Sequence, residues 1–363
     1  MTKKLNWKNI IGWIVAIAVI FGIIGYNAYQ DNKKTVDGKR KVYAIVQLTG
    51  PIAEAGKHVK AAMDSWMEMH PDAAFDVVYV DNESRPDKAV TGIQQKTVND
   101  DHPITLTVGS IFANVIFPVM KDRQGFNFSI ITFNSIVGDY KNVQNLSYSL
   151  EQVVQPIVDK INKNYKSVGI ISSFDEFGEQ QKNYLLQHLN PDIRSFSVAF
   201  PANQQDIRLE TQKMLLNKPE VVVILMTPSI MYQNVLRELK NNFSGKILAD
   251  IIFENKFLNE VTLNTDMDVE GITSKNDPTN KDLAELKNKL AQRNSYLFYT
   301  TKQAYDSLDI INYVMKNNLP LNQDTFKQLG HWDDMNSITF SGNGKSSIDY
   351  VLLPFKNGQF VEE

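Results

Sequence analysis

From Lys41 onward, short β-rich apolar runs alternate with stretches of helical spacing, and no other feature of the chain limits its fold as strongly. The first series of runs is Val42–Leu48, Phe75–Val80, Ile104–Val108 and Phe128–Thr132. Helical spacing fills the gaps over Lys57–His70, Asp87–Asn99 and Ala113–Arg123. A second series follows with Ser167–Ser172, Ile193–Ala199, Val221–Leu225, Lys246–Ile252 and Glu270–Ser274 as strands. Gln152–Tyr165, Glu179–Leu189, Ile207–Asn217 and Ser229–Asn241 are its helices. Strands separated by helices of about 10–15 residues imply βαβ units and a parallel sheet. Two such series predict two doubly wound α/β lobes, completed by helices at Asp282–Gln292 and Thr300–Asn317. A C-terminal hairpin of Ser337–Phe340 with Ile348–Phe355 is expected to close the fold.

A length of 363 residues suits two domains, and 43% hydrophobic with 22% charged residues is the composition of a chain with a packed core. The net charge of −3 provides no basic field to attract nucleic acid. The lack of cysteine excludes disulfides, thiolate metal sites, cysteine nucleophiles and cysteine-linked lipids. His58, His70, His102, His188 and His331 are scattered and read as surface or capping residues. Asp333–Asp334 has no metal-loop spacing, and Gly342-x-Gly344 reads as a hairpin turn. No cofactor, no metal and no catalytic activity is expected.

Asn9–Gln30 carries no charge and follows Lys3, Lys4 and Lys8. Its apolar core, Ile10–Gly25, spans roughly 24 Å as a helix, and its uncharged flanks extend this to about 30 Å, the thickness of a bilayer core. Trp13, Tyr26 and Tyr29 suit the interfaces. Cleavage needs small residues at −3 and −1, and neither Tyr26 before Ala28 nor Ile23 before Gly25 supplies them. An uncleaved N-terminal anchor is favoured, with residues 31–40 as a tether.

In open parallel sheets, ligands bind outside the carboxyl ends of the strands. The loops at those positions carry a further pattern. Val42–Gly56 reads VYAIVQLTGPIAEAG, Val80–Val90 reads VDNESRPDKAV, and Val108–Ala113 reads VGSIFA. Ile170–Gly178 reads IISSFDEFG, Ala304–Leu308 AYDSL and Phe340–Gly344 FSGNG. In this order, over most of the body, they resemble the type I periplasmic solute-binding proteins, in particular the branched-chain amino-acid group. The resemblance implies an extracytoplasmic protein that captures a small polar solute, an amino acid or a related compound, between two lobes. It also implies an ABC permease as partner. It assigns residues 41–148 and 275–324 to lobe 1, and 149–274 and 325–363 to lobe 2.

The resemblance also implies a site. Ser110 falls where the family binds a carboxylate, and serine there equally suits a helix N-cap. Asn134 and Ser135 follow the fourth strand. Phe177 matches an aromatic wall, and Tyr299 is a second wall candidate. Asp250 is the expected partner of an ammonium, with Glu254 in reserve. Thr49 completes the set. Ser229 stands near a position that is often aromatic in the family, and Ala55 replaces another aromatic, so the pocket is expected to be wider than the Leu/Ile/Val type. The same clamp could alternatively serve a membrane-tethered sensor, or a degenerate clamp that binds another protein.

Overall fold

The computed structural model describes residues 39–361, apart from 122, 139, 202, 203, 205, 228, 229, 255–259, 263–265 and 275–279. The expected anchor and nearly all of the tether lie outside the described residues. Among the described residues no helix is long and apolar enough to cross a membrane.

The first series forms one parallel sheet in the order β2-β1-β3-β4-β5. Its strands are β1 (Arg40–Val46), β2 (Phe75–Asp81), β3 (Ile104–Val108), β4 (Phe126–Ile130) and β5 (Val143–Asn145). Helices α1 (Ala53–Met69), α2 (Pro86–Lys96) and α3 (Ser110–Lys121) connect them. The second series forms a seven-stranded sheet in the order β15-β14-β10-β9-β8-β6-β7. Here β6 (Ser167–Ser173), β7 (Arg194–Phe200), β8 (Val221–Leu225), β9 (Lys246–Ala249) and β10 (Val269–Ser274) are parallel. Helices α4 (Leu150–Asn164), α5 (Glu176–His188), α6 (Arg208–Leu215) and α7 (Ile230–Asn242) alternate with them. These strands read as unbroken apolar runs because helices cover both faces of a parallel sheet, and all five residues of Val221–Leu225 are buried.

Two glycines set how closely helix and strand approach in each half. A Cβ on Gly56 would meet the Gln47 carbonyl oxygen at 2.0 Å, and one on Gly178 would meet that of Ser173 at 2.4 Å. Each glycine lets the helix after its strand dock directly on that strand's end. The start of α4 is fixed by a capping box in which Ser149 and Gln152 bond each other's backbone N–H groups.

The C-terminal region departs from expectation. Helices α8 (Lys281–Gln292) and α9 (Tyr299–Lys316) pack on α1. Trp66 of α1, fully buried, stacks on Phe75 at 5.7 Å and donates to Asp309 of α9 at 3.2 Å. A helix that was not foreseen, α10 (Gln323–Leu329), precedes a small antiparallel sheet of β11 (His331–Asp333), β12 (Ser337–Gly342) and β13 (Lys345–Ile348). Backbone with positive φ at Gly342, Asn343 and Gly344 folds the chain tightly back, so β12 pairs with Lys345–Ile348 and not with residues 349–355. That frees β14 (Tyr350–Lys356) to join β10 antiparallel, with β15 (Gln359–Phe360) outside it.

Residues 325–363 are therefore shared between the two sheets. Phe326 packs on Phe126 and Phe128 of the first sheet at 5.8 and 5.6 Å. The Asn145 N–H donates to the Gly344 carbonyl at 2.8 Å, so β13's turn covers the β5 edge. Only β14 and β15 belong to the second sheet.

Candidate functional site

Parallel strands followed by helices put the strand carboxyl ends and the helix starts at the same edge of each sheet. In the described structure the two edges meet. The contact is made by the loops after β4, β6 and β9, by the start of α9, and by the residues where the chain passes between the sheets.

Aromatic rings form a continuous run across this junction. Phe177, half-buried in the first turn of α5, stacks on Phe133 after β4 with centroids 5.5 Å apart and planes 17° apart. Phe133 meets Tyr148 edge-on at 5.6 Å, and Tyr148 meets Tyr350 edge-on at 5.6 Å. Burial pushes the Tyr148 and Tyr350 hydroxyls well above their ordinary range, and neighbouring Asp250 and Glu254 respectively add to this.

Helix α9 ties the two sheets together through its first turns. Glu254, 8% exposed, accepts the Tyr299 backbone N–H at 2.5 Å and also the Thr273 hydroxyl. A carboxylate there completes the positive end of the helix. Lys302 is buried, and its ammonium donates to the Ser274 carbonyl at 3.2 Å and to the Ser274 hydroxyl. Burial lowers the Lys302 pKa, while Glu254 and Asp306 oppose the shift. Gln303 accepts the Ile131 N–H at 3.0 Å and donates to the Tyr350 hydroxyl at 3.1 Å. Ile131 has φ +56°, a conformation that a β-branched residue adopts only at a cost of about 1–3 kcal/mol. The Gln303 bond holds it there.

Asp250 lies at 0% exposure beneath this edge. Its Oδ2 accepts the Met226 N–H at 2.9 Å and the Gln181 amide at 3.4 Å. Its Oδ1 accepts the Ile252 N–H at 3.2 Å and the Tyr232 hydroxyl at 3.3 Å. Burial raises its pKa to about 8 against the pull of these donors. The residue foreseen as a ligand-facing anion is thus an interior group, because the short helical turn Ile251–Glu254 folds its carboxyl inward.

The other foreseen residues fall as follows. Ser110 opens α3, and its hydroxyl oxygen accepts the Phe133 N–H at 3.3 Å, joining the turns after β3 and β4. Ser135 is exposed in the helical turn Asn134–Val137, whose Asn134 side chain lies outside the description. Thr49 is exposed, and its hydroxyl donates to Asp81 at 2.8 Å. Burial raises the Asp81 pKa, but bonds from the Glu83, Leu48 and Thr49 N–H groups and the Thr49 hydroxyl outweigh it and hold the carboxyl below its usual range. Ser229 lies outside the described residues. Ser110, Phe177, Glu254 and Tyr299 are therefore brought to the junction. Phe133, Tyr148, Lys302, Gln303 and Tyr350 join them, although sequence reading did not single them out.

No family model and no curated protein matches the chain. Solved structures do. The leucine-binding protein LivK of Thermotoga maritima has a TM-score of 0.73 at 15% identity, covering 89% of this chain and 97% of that one. The branched-chain amino-acid transporter substrate-binding protein LivJ of Streptococcus pneumoniae, in complex with isoleucine, has a TM-score of 0.73 at 13% identity, with the same 89% and 97% coverage. An ABC-transporter solute-binding protein of R. palustris, in complex with 4-hydroxybenzoate, has a TM-score of 0.75 at 15% identity, covering 90% of this chain and 95% of that one. The chain has the α/β fold of type I periplasmic solute-binding proteins.

Proposed function

We propose that this protein is the solute-binding component of an ABC importer and captures a small organic solute where its two sheets meet. The observation that carries the reading is the aromatic run from Phe177 to Tyr350, which joins both halves at their strand carboxyl ends. A ligand lodged there touches both halves at once and biases them toward the closed arrangement. Solved neighbours of the same fold hold isoleucine or 4-hydroxybenzoate and support a solute of that size.

In this reading lobe 1 comprises β1–β5 with α1–α3 and residues 281–348, and lobe 2 comprises α4–α7, β6–β10, β14 and β15. The site consists of Ser110, Asn134 and Ser135 from lobe 1, with Phe177, Ser229 and Glu254 from lobe 2 and Tyr299 from α9. Asp250 supports the floor, and Thr49 braces the first loop. The Asn9–Gln30 segment anchors the protein, with its body on the extracytoplasmic side and a permease beside it. The protein performs no chemistry on the solute.

A thermal-shift screen of the purified protein against amino acids, amides, small carboxylates and polyols tests this. A ligand at 100 times its Kd stabilises by about 2.7 kcal/mol, which shifts the melting temperature measurably. A well-folded protein that responds to nothing in the screen would overturn solute capture.

A further inference from the structure

Strand β7 is a free edge of the second sheet. Among the described residues the sheet order ends at β7, and no strand lies beyond it. An edge strand presents a row of unpaired N–H and C=O groups, which proteins ordinarily blunt with charges, proline, a bulge or a short length. β7 runs for seven residues, RSFSVAF, with no proline and its single charge on Arg194 at the first position. Its register with β6 is unbroken from Ser167–Arg194 to Ser173–Phe200. The other described edges are blunted: β15 is two residues long, the β13 turn covers β5, and β2 carries Asp76 and Asp81.

The exposed backbone of β7 matches itself. The Arg194 N–H donates to the Lys166 carbonyl at 3.0 Å, and the Phe200 carbonyl accepts the Phe174 N–H at 2.7 Å, so the even-numbered residues turn their backbone groups inward. Those of Ser195, Ser197 and Ala199 therefore point outward. In an antiparallel pair centred on Ser197, Ser197 lies opposite Ser197 of a second copy and Ser195 opposite its Ala199, with two hydrogen bonds exchanged at each pair. The two Arg194 side chains fall at opposite ends, so no like charges meet. A Cβ on Gly169, the cross-strand neighbour of Phe196, would meet the Met214 sulfur at 2.2 Å, so Phe196 and Val198 face α6. Both are half-buried in one copy, and across the pair each meets the other's counterpart.

The charges of α6 repeat the match. Gln212 donates to Glu238 of α7 at 3.0 Å, which turns that side of α6 away from β7. Glu210 and Lys213 lie about 200° and 100° round from it, toward the free edge. Met214 stands over Gly169, so Lys213 sits near the level of Phe196, and Glu210 sits about 4.5 Å nearer the strand's carboxyl end. A two-fold axis through Ser197 falls between them and sets Glu210 of each copy against Lys213 of the other. Neither has an ion-pair partner of its own among the described residues. Strands about 4.8 Å apart place the two α6 helices roughly 10–15 Å apart, within reach of these side chains.

We propose that the protein forms a two-fold symmetric dimer in which β7 pairs antiparallel with β7 of a second copy, with Glu210 and Lys213 facing each other across the axis. The two seven-stranded sheets become one. This pairing is independent of solute capture.

The test uses the full chain, which has no cysteine of its own. Paired Ser197 residues have Cα atoms about 5.5 Å apart, within the roughly 4.4–6.8 Å that a disulfide spans. Ser195 and its copy are offset by four residues, about 14 Å. Under the same mild oxidant, Ser197→Cys should form a covalent dimer at least about tenfold faster than Ser195→Cys. No disulfide at 197 overturns the proposal. Equal rates at the two positions also overturn it, since they would show association through another surface, the Asn9–Gln30 segment included. Sedimentation velocity across the micromolar range supplies a second readout. Glu210→Lys should weaken the dimer roughly fivefold, and adding Lys213→Glu should restore it. A parent that stays monomeric, or a Glu210→Lys dimer as tight as the parent's, overturns the proposal.

Discussion

Replacing Asp250 by asparagine separates the shape of this side chain from its charge. Burial raises the carboxyl to about pH 8, so in the folded protein it holds a proton through the neutral range, while the unfolded chain loses that proton near pH 3.9. A neutral carboxyl must donate its O–H. The buried Gln181 Oε1 has no hydrogen-bond partner, while the Gln181 amide nitrogen reaches Asp250 only at 3.4 Å. A half-turn of that amide brings the oxygen to the carboxyl, where it accepts the O–H. Asparagine offers an N–H in the same place.

The sign follows from proton linkage. Between about pH 4 and 8 the folded state binds one proton more than the unfolded state, so stability falls as pH rises, by about 1.4 kcal/mol per pH unit for this one group. The contribution is fully present below the unfolded pKa and is lost as pH passes the folded one. Asp250→Asn removes this dependence. Urea unfolding of the two proteins from pH 5 to 7 should show the parent losing about 3 kcal/mol relative to the variant. A constant difference across that range would show that Asp250 is ionised in the fold and would refute the reasoning. Asp250→Ala is the contrasting change. It strips a partner from the Met226 and Ile252 N–H groups, at about 1–3 kcal/mol for each buried group left unsatisfied, and should be destabilising at every pH.

Three further outcomes follow. Phe177→Ala removes the stack on Phe133 and should weaken solute binding about tenfold with little change in the melting temperature, because the ring is only half-buried. Gly178→Ala drives a methyl group against the Ser173 carbonyl at 2.4 Å and should cost about 1–3 kcal/mol in urea unfolding, with α5 displaced from β6. Asp306, buried in α9, accepts the Met335 N–H at 2.9 Å and the Asn336 amide at 2.6 Å. Burial, with Asp334 and Asp309 adding to it, raises its pKa well above the carboxylate range, so the folded state keeps a proton that the unfolded chain loses near pH 3.9, and stability falls as pH rises above that value. Asp306→Asn should reduce the loss of melting temperature as pH is raised from that value.

The parallel strands were legible because a strand buried on both faces must be a short apolar run, and Ile104–Val108 and Val221–Leu225 are found with the same limits that their sequence shows. β5 was not legible. Val143–Asn145 is only three residues long and contains Gln144 and Asn145, both fully buried, so it carries no apolar signal. What makes it a strand is its pairing with β4 and the carbonyl of the distant Gly344.

The site divides along the same line. Residues that reach the junction beside a strand end, such as Ser110, Phe177 and Glu254, could be located by counting strands. Those that reach it from α9 were legible only in part, since Tyr299 was foreseen as a wall but Lys302, Gln303 and Asp306 were not. Tyr299, Lys302, Gln303 and Asp306 recur at helical spacing, and a charged or amide residue on a helix ordinarily marks its wet face. Here they lie on the inner face with 5% exposure or less, each fastened to another part of the chain. Asp250 was misjudged for a related reason. Its position after β9 marks a ligand-facing loop, but the number of donors a carboxyl meets depends on how the next few residues turn. Four donors converge on it, from α5, α7 and the ends of β8 and β9, so its charge is a property of the assembled lobe and not of the loop that carries it.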